Sequence, residues 1–136
     1  MRPNVTRAHL LEQHDEIRRC LAVAEELAER VRDGALALSE LGPAVLALLQ
    51  AFVRHNRSEE ALLEPLLRLG DDYSEARVSR MHEEHLEEHE LLRISLGDDL
   101  RAVARVLPDL AETLRAHMDA EERTFLHPAV LRDHPR

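Results

Sequence analysis

The chain reads as an all-α protein built as an up-down-up-down antiparallel four-helix bundle, and three observations support this. The composition is 44% hydrophobic but only 2% aromatic, with alanine, leucine, glutamate and arginine prominent and four glycines; that balance favours helix over sheet. Four successive segments carry residues at three- and four-residue spacing that fall on one helix face. Short connections between the first three segments make neighbours antiparallel. At 136 residues the chain is expected to form a single domain, 1–136, with one substantial core.

Caps and breakers set the expected boundaries. The first helix is placed at 6–32, with Thr6 as N-cap and a stop at Asp33-Gly34, where glycine readily adopts the left-handed conformation. The second follows Gly42-Pro43 and runs to Leu69-Gly70, with Pro65 tightening or bending its last turn. The third covers 75–96, with Ser74 as N-cap after the Asp71-Asp72-Tyr73 cluster. Residues 98–107 keep a helical pattern but follow a turn-like Gly97-Asp98-Asp99, so Pro108 is assigned to the first turn of the fourth helix.

Polar residues interrupt each apolar stripe near its middle. The stripes are Leu10, His14, Ile17, Leu21; Val45, Leu48, Phe52, His55, Glu59, Leu62, Leu66; Val78, His82, His85, His89, Leu92, Leu96; and Leu110, Leu114, His117, Glu121, Phe125. A lone histidine on a core face is usually a hydrogen-bonded core residue. Histidines on the apolar stripes of four helices, twice followed by glutamate four residues on, are better explained by metal coordination. His14, His55, Glu59, His85, His89, His117 and Glu121 are therefore the candidate ligands of a two-metal site. A glutamate four residues after a histidine is rotated from it by only about 40°, and one five residues after by about 140°, so Glu59 and Glu121 point inward while Glu60 and Glu122 flank them. His82 is ambiguous between ligand and neighbour, and His9, His127 and His134 read as surface residues.

An internal echo supports this arrangement. His55-Asn-Arg-Ser-Glu59-Glu60 before Pro65 is matched by His117-Met-Asp-Ala-Glu121-Glu122 before Pro128, and Glu12-Gln-His14-Asp by Glu87-Glu-His89-Glu. Two other patterns carry less weight. His85-Leu-Glu-Glu88-His89 matches an inverted zinc-protease motif but leaves the other aligned ligands unexplained. No histidine has glutamate three residues earlier, as the Glu-x-x-His motifs of ferritin-like sites require.

The ordered set Glu12-Gln-His14-Asp-Glu-Ile, His55-x3-Glu59-Glu60-x4-Pro65, His85-x3-His89 and His117-x3-Glu121-Glu122 resembles the hemerythrin-like, or HHE cation-binding, proteins over nearly the whole chain. The resemblance implies a hemerythrin-like bundle around two non-haem iron ions in an Fe-O-Fe type centre. It assigns His85, His89 and His117 to one iron and His14 and His55 to the other, with Glu59 and Glu121 bridging. In the oxygen-carrier branch the last carboxylate is an aspartate five residues after its histidine. Here glutamates occupy both the four and five positions, leaving Glu122 as a competitor for the second bridge.

The resemblance implies dioxygen, another small diatomic or peroxide as the ligand, in oxygen binding or oxygen and redox sensing. The alternative is a di-iron enzyme acting on peroxide, nitric oxide or a small oxidisable substrate. No Ser-His-Asp arrangement or glycine-rich phosphate loop is evident. A formal net charge of −9 argues against nucleic acid or an anionic membrane as partner. With no apolar run of spanning length, no signal-peptide core at the N-terminus and a single cysteine, Cys20, the expected location is cytoplasmic.

Overall fold

The structure is a computed structural model that describes residues 2–34, 38–69, 73–97 and 99–131. It contains α1 (Pro3–Arg32), α2 (Leu38–Ser58), a π-helical turn (Glu59–Leu63) that runs directly into α3 (Glu64–Arg68), α4 (Ser74–Leu96) and α5 (Leu100–Arg123). Contacts across the helices fix the topology. On α1 and α5, Arg18 reaches Glu122, Arg115 reaches Glu25 and Arg32 reaches Ala104, so one sequence rises as the other falls. The same reversal relates α1 to α2 through Gln13 with Ser58 and Arg54 with Glu16. His82 with Glu64 and Arg68 with Glu75 relate α3 to α4. The result is the expected up-down-up-down four-helix bundle.

Several boundaries differ from the sequence expectation, each for a local reason. At the start of α1, Pro3 takes the first turn, where its missing N–H costs nothing; Thr6 is buried within the helix rather than capping it. Leu41 is wholly buried and anchors an extra turn before Pro43, so α2 begins at Leu38. Pro43 itself is exposed, as is Ser39, the residue whose α-helical donor the proline removes. Tyr73, not Ser74, occupies the N-cap of α4. Gly34 does end α1 at a positive φ of 88°.

The fourth helix begins at Leu100, eight residues before Pro108. Asp99 is its N-cap, with one carboxylate oxygen accepting from the N–H groups of Arg101 and Ala102 at 3.0 Å each. Pro108 therefore lies inside the helix, where it cannot donate to the carbonyl of Ala104. Arg32, at the end of α1, donates from Nη1 to that carbonyl instead, so the group orphaned by the proline is satisfied from a neighbouring helix.

Pro65 acts in a related way. It follows the wide turn in which Glu64 N–H donates to Glu59 O, five residues back. A turn of this kind takes one more residue than an α-turn, and it shifts the buried row after Glu59 from the expected Leu62 and Leu66 to Leu63 and Leu67.

The core has two parts. One contains Ile17, Leu21, Leu48, Phe52, Leu92, Leu107, Leu114 and Met118 among others. The second contains Leu10, Leu63, Leu67, Val78, Met81, Phe125, Leu126 and Leu131. Between them lies a layer of buried polar side chains: His14, His55, Glu59, His85, Glu88 and Glu121. Among the described residues, no helix is long and apolar enough to cross a membrane.

Candidate metal centre

Each helix contributes to the polar layer where its apolar row is broken. On α1, His14 stands between Leu10 and Ile17. Past Phe52, α2 and the wide turn supply His55 and Glu59, and α5 supplies Glu121 between Met118 and Phe125. His14, His55, Glu59 and Glu121 each offer one ligand atom, and these four atoms lie within 4.8 Å of one another. Nε2 of His14 is 3.0 Å from Nε2 of His55. Glu121 Oε2 faces both rings, 3.6 Å from His14 Nε2 and 3.7 Å from His55 Nε2. Glu59 spans two histidines: Oε1 lies against His55 Nε2, and Oε2 is 3.1 Å from His85 Nε2.

The outer nitrogens explain why the inner ones converge. His14 Nδ1–H donates to Glu122 at 2.9 Å and His55 Nδ1–H to the amide oxygen of Gln13 at 3.0 Å, while Gln13 donates from its own nitrogen to Ser58 at 2.9 Å. His85 Nδ1 lies 3.3 Å from Glu60 and His117 Nδ1 3.3 Å from Glu88. Acceptors on Nδ1 assign the proton to that atom and leave Nε2 as the ring's lone pair. Two such lone pairs 3.0 Å apart repel unless a cation lies between them. Glu59 Oε1 and Glu121 Oε2 are also buried without a hydrogen-bond partner, an expensive state for carboxylate oxygens. Facing lone pairs and two orphaned anionic oxygens form a donor set that fits a metal ion.

Without metal, protons take the cation's place. Burial works against a charged His55, but Glu59 and Glu121 outweigh it and raise its pKa to about 10. For His85, burial is likewise outweighed by Glu59 and Glu60, raising it to about 9. Burial would raise Glu59, yet the positive charge of His55 and the hydrogen bond of His85 hold it well below the usual carboxylate range. His117 is raised chiefly by its hydrogen bond to Glu88, against the opposing effect of burial.

The seven expected ligands do not behave alike. His14, His55, Glu59 and Glu121 come together, and His85 joins them through Glu59. His117 sits at the edge of the layer, its side chain 33% exposed. His89 is exposed. The buried row of α4 is Val78, Met81, His85, Glu88 and Leu92, so the stripe counted through His82, His85 and His89 has the wrong phase on either side of His85. His82 is exposed beside Glu64, and His9 and His127 are exposed too; His134 lies outside the described residues. The internal echo persists in the backbone. Leu126 N–H donates to Glu121 O at 2.9 Å, five residues back, as Glu64 N–H does to Glu59 O.

Glu88 and Gln13 were missed in the sequence. Both are next to histidines already singled out, but only the true phase of α4 distinguishes Glu88 from the neighbouring solvated glutamates. Beside His117 is a cavity of about 230 Å³ lined by Arg80, Glu83, Glu84, Glu87, His117 and Ala120. Glu84 in its wall is raised by burial and by the nearby charge of Glu121.

The hemerythrin HHE cation-binding domain profile matches residues 5–129. The chain belongs to this family. Its match spans all four bundle helices and both His-x3-Glu-Glu motifs, and the family's cation-binding character agrees with the donor set of the polar layer. No curated protein and no solved structure gives a significant match.

Proposed function

We propose that this HHE-family protein is a non-haem di-iron protein that binds dioxygen and acts in oxygen binding or in oxygen and redox sensing. The observation that carries the reading is the convergence of His14 Nε2, His55 Nε2, Glu59 Oε1 and Glu121 Oε2 in one buried layer, with both carboxylate oxygens unpartnered. His14 and His55 would hold one iron, His85 and His117 would serve the other, and Glu59 and Glu121 would lie between. His89 stands outside the buried set. Two irons bound there would supply a Lewis-acidic, redox-active centre for a diatomic ligand.

The chain's own residues do the rest. Glu122, Gln13 and Glu60 hold the Nδ1 protons and so aim Nε2 of three histidines inward. Arg18 donates to Glu122 and to Asp119, pinning α1 to α5 at the level of His14. Leucines, isoleucine and phenylalanine above and below the layer exclude bulk water, which suits reversible ligand binding more than hydrolysis.

The cavity beside His117 favours a second reading, an enzyme acting on peroxide, nitric oxide or a small oxidisable substrate. Anaerobic reconstitution with Fe(II), metal analysis and absorption spectra before and after admission of oxygen test both readings. Two irons per chain with reversible absorption bands are expected for a carrier or sensor, and turnover with peroxide for the enzyme. A reproducible one-metal or zinc-only stoichiometry after iron reconstitution would refute the di-iron proposal.

A further inference from the structure

The three inward histidines, His14, His55 and His85, and His117 at the edge of the layer are held by outer partners of unequal charge. His55 is held by a neutral amide, Gln13. His14 is held by Glu122, whose charge is met by Arg18. Glu60, behind His85, is 49% exposed, so water screens it. Glu88, behind His117, is 2% exposed, and among the described residues no arginine pairs with it. A carboxylate in this position on α4 faces the layer because α4 turns Met81, His85, Glu88 and Leu92 inward and His89 outward.

We propose that Glu88 is the positioning residue of the His85/His117 half of the centre. It accepts the Nδ1 proton of His117, leaves Nε2 as the metal-binding lone pair, and puts behind that ring a buried carboxylate with no arginine on it, where the outer partners of His55 and His14 are a neutral amide and an arginine-paired glutamate. The inference rests on the two-metal reading above. Its physical basis is general: an anionic acceptor behind a ligating imidazole fixes the tautomer and makes the ring a stronger donor, and loss of such a partner typically weakens metal binding about 10- to 100-fold. Glutamine at the same place can still accept the Nδ1 proton but brings no charge. Alanine can do neither. The two substitutions therefore separate orientation from charge.

The test compares wild type, Glu88→Gln and Glu88→Ala, using anaerobic Fe(II) titration for the sequential affinities. Nitrogen-15 NMR of histidine-labelled, zinc-loaded protein reads the His117 tautomer. The expected result is that the tighter step changes little in either variant. Glu88→Gln keeps the Nδ1–H form of His117 and weakens the second step about tenfold, whereas Glu88→Ala loses the defined tautomer and weakens it about 100-fold. Thermal melts by circular dichroism establish folding, and Glu88→Gln alone carries the comparison if the alanine variant fails to fold.

Unchanged affinities and an unchanged His117 signal in a wild-type background that binds two ions would overturn the role of Glu88 alone. Complete loss of the second ion in Glu88→Gln would also overturn it, because Glu88 would then be a ligand. A wild-type protein that takes up one ion only would sink the two-metal reading and this inference with it.

Discussion

Raising the pH from 7.5 to 8.5 should destabilise the metal-free protein sharply. His55 titrates at about 10 in the fold and His85 at about 9, both raised from 6.5. A raised histidine contributes stability that is fully present below its unfolded pKa and lost as pH rises through its folded pKa. Across the interval both rings stay mostly protonated in the fold and are largely neutral in the unfolded chain. Each such proton makes stability fall by roughly 1 kcal/mol or slightly more per pH unit, so the pair gives a drop on the order of 2–3 kcal/mol. Against a typical total of roughly 5–15 kcal/mol this is a large share. Glu59, lowered by the same contacts, is not counted again. Its contribution is present above the unfolded value of 4.5 and is lost only as pH falls through its lower folded value, outside the interval. Urea denaturation at pH 6.5, 7.5, 8.5 and 9.5 with a chelator present measures the trend. A midpoint that stays constant or rises from 7.5 to 8.5 would refute the reasoning. Metal uptake should run the other way, strengthening over the same interval, because the ion displaces these protons.

Other substitutions probe separate parts of the molecule. Glu59→Ala and Glu121→Ala should lose one or both metals, while Glu60→Ala and Glu122→Ala should lose less; metal content of the four purified variants decides, and a site emptied by Glu122→Ala but not by Glu121→Ala would reassign the second carboxylate. His89→Ala should leave metal content unchanged because the ring is exposed, whereas His85→Ala should lower it. Arg32→Ala should cost about 1–2 kcal/mol by stripping the Ala104 carbonyl of its donor. In a Pro108→Ala background, where residue 108 can donate to that carbonyl, the loss should shrink, as a double-mutant cycle in urea would measure. Asp99→Ala should cost about 1 kcal/mol through loss of the α5 cap, read as a lower melting temperature.

The four helices and the core positions of the ligand layer were legible because apolar periodicity records which face is buried. His14, His55, Glu59 and Glu121 each interrupt a row whose other members are aliphatic or aromatic. Helix α4 lacked that contrast. Around His85 its sequence is almost wholly glutamate and histidine, so nothing local distinguishes a row through His82 and His89 from one through Met81 and Glu88. The apolar neighbours Val78 and Leu92 fit both phases. Packing decides between them: Met81 fills the second core and Leu92 the first, and a row through these residues carries Glu88 inward. Pro108 misled for another reason. A proline inside a helix orphans a carbonyl, and the compensating donor, Arg32, is 72 residues from Ala104, beyond the reach of any local pattern.

The two wide turns show how the repeated motif serves the site. A regular helix keeps a histidine and the glutamate four residues later on nearly one face, which is what a shared metal position needs. It does not automatically keep the next apolar residues on the core side. Both glutamates accept a backbone bond from five residues on, Glu59 from Glu64 and Glu121 from Leu126; after Glu59 the helix widens, and after Glu121, whose carbonyl also accepts from Thr124, it ends. In the first case the buried row resumes at Leu63 and Leu67; in the second the chain leaves α5 and buries Phe125, Leu126 and Leu131. The placement of each turn separates two demands: regular helix before it sets the donors, and the altered phase after it returns apolar side chains to the second core. Pro65 and Pro128, which follow these turns at slightly different distances, then govern different exits. The first continues as α3, while the second lies in the turn beyond α5.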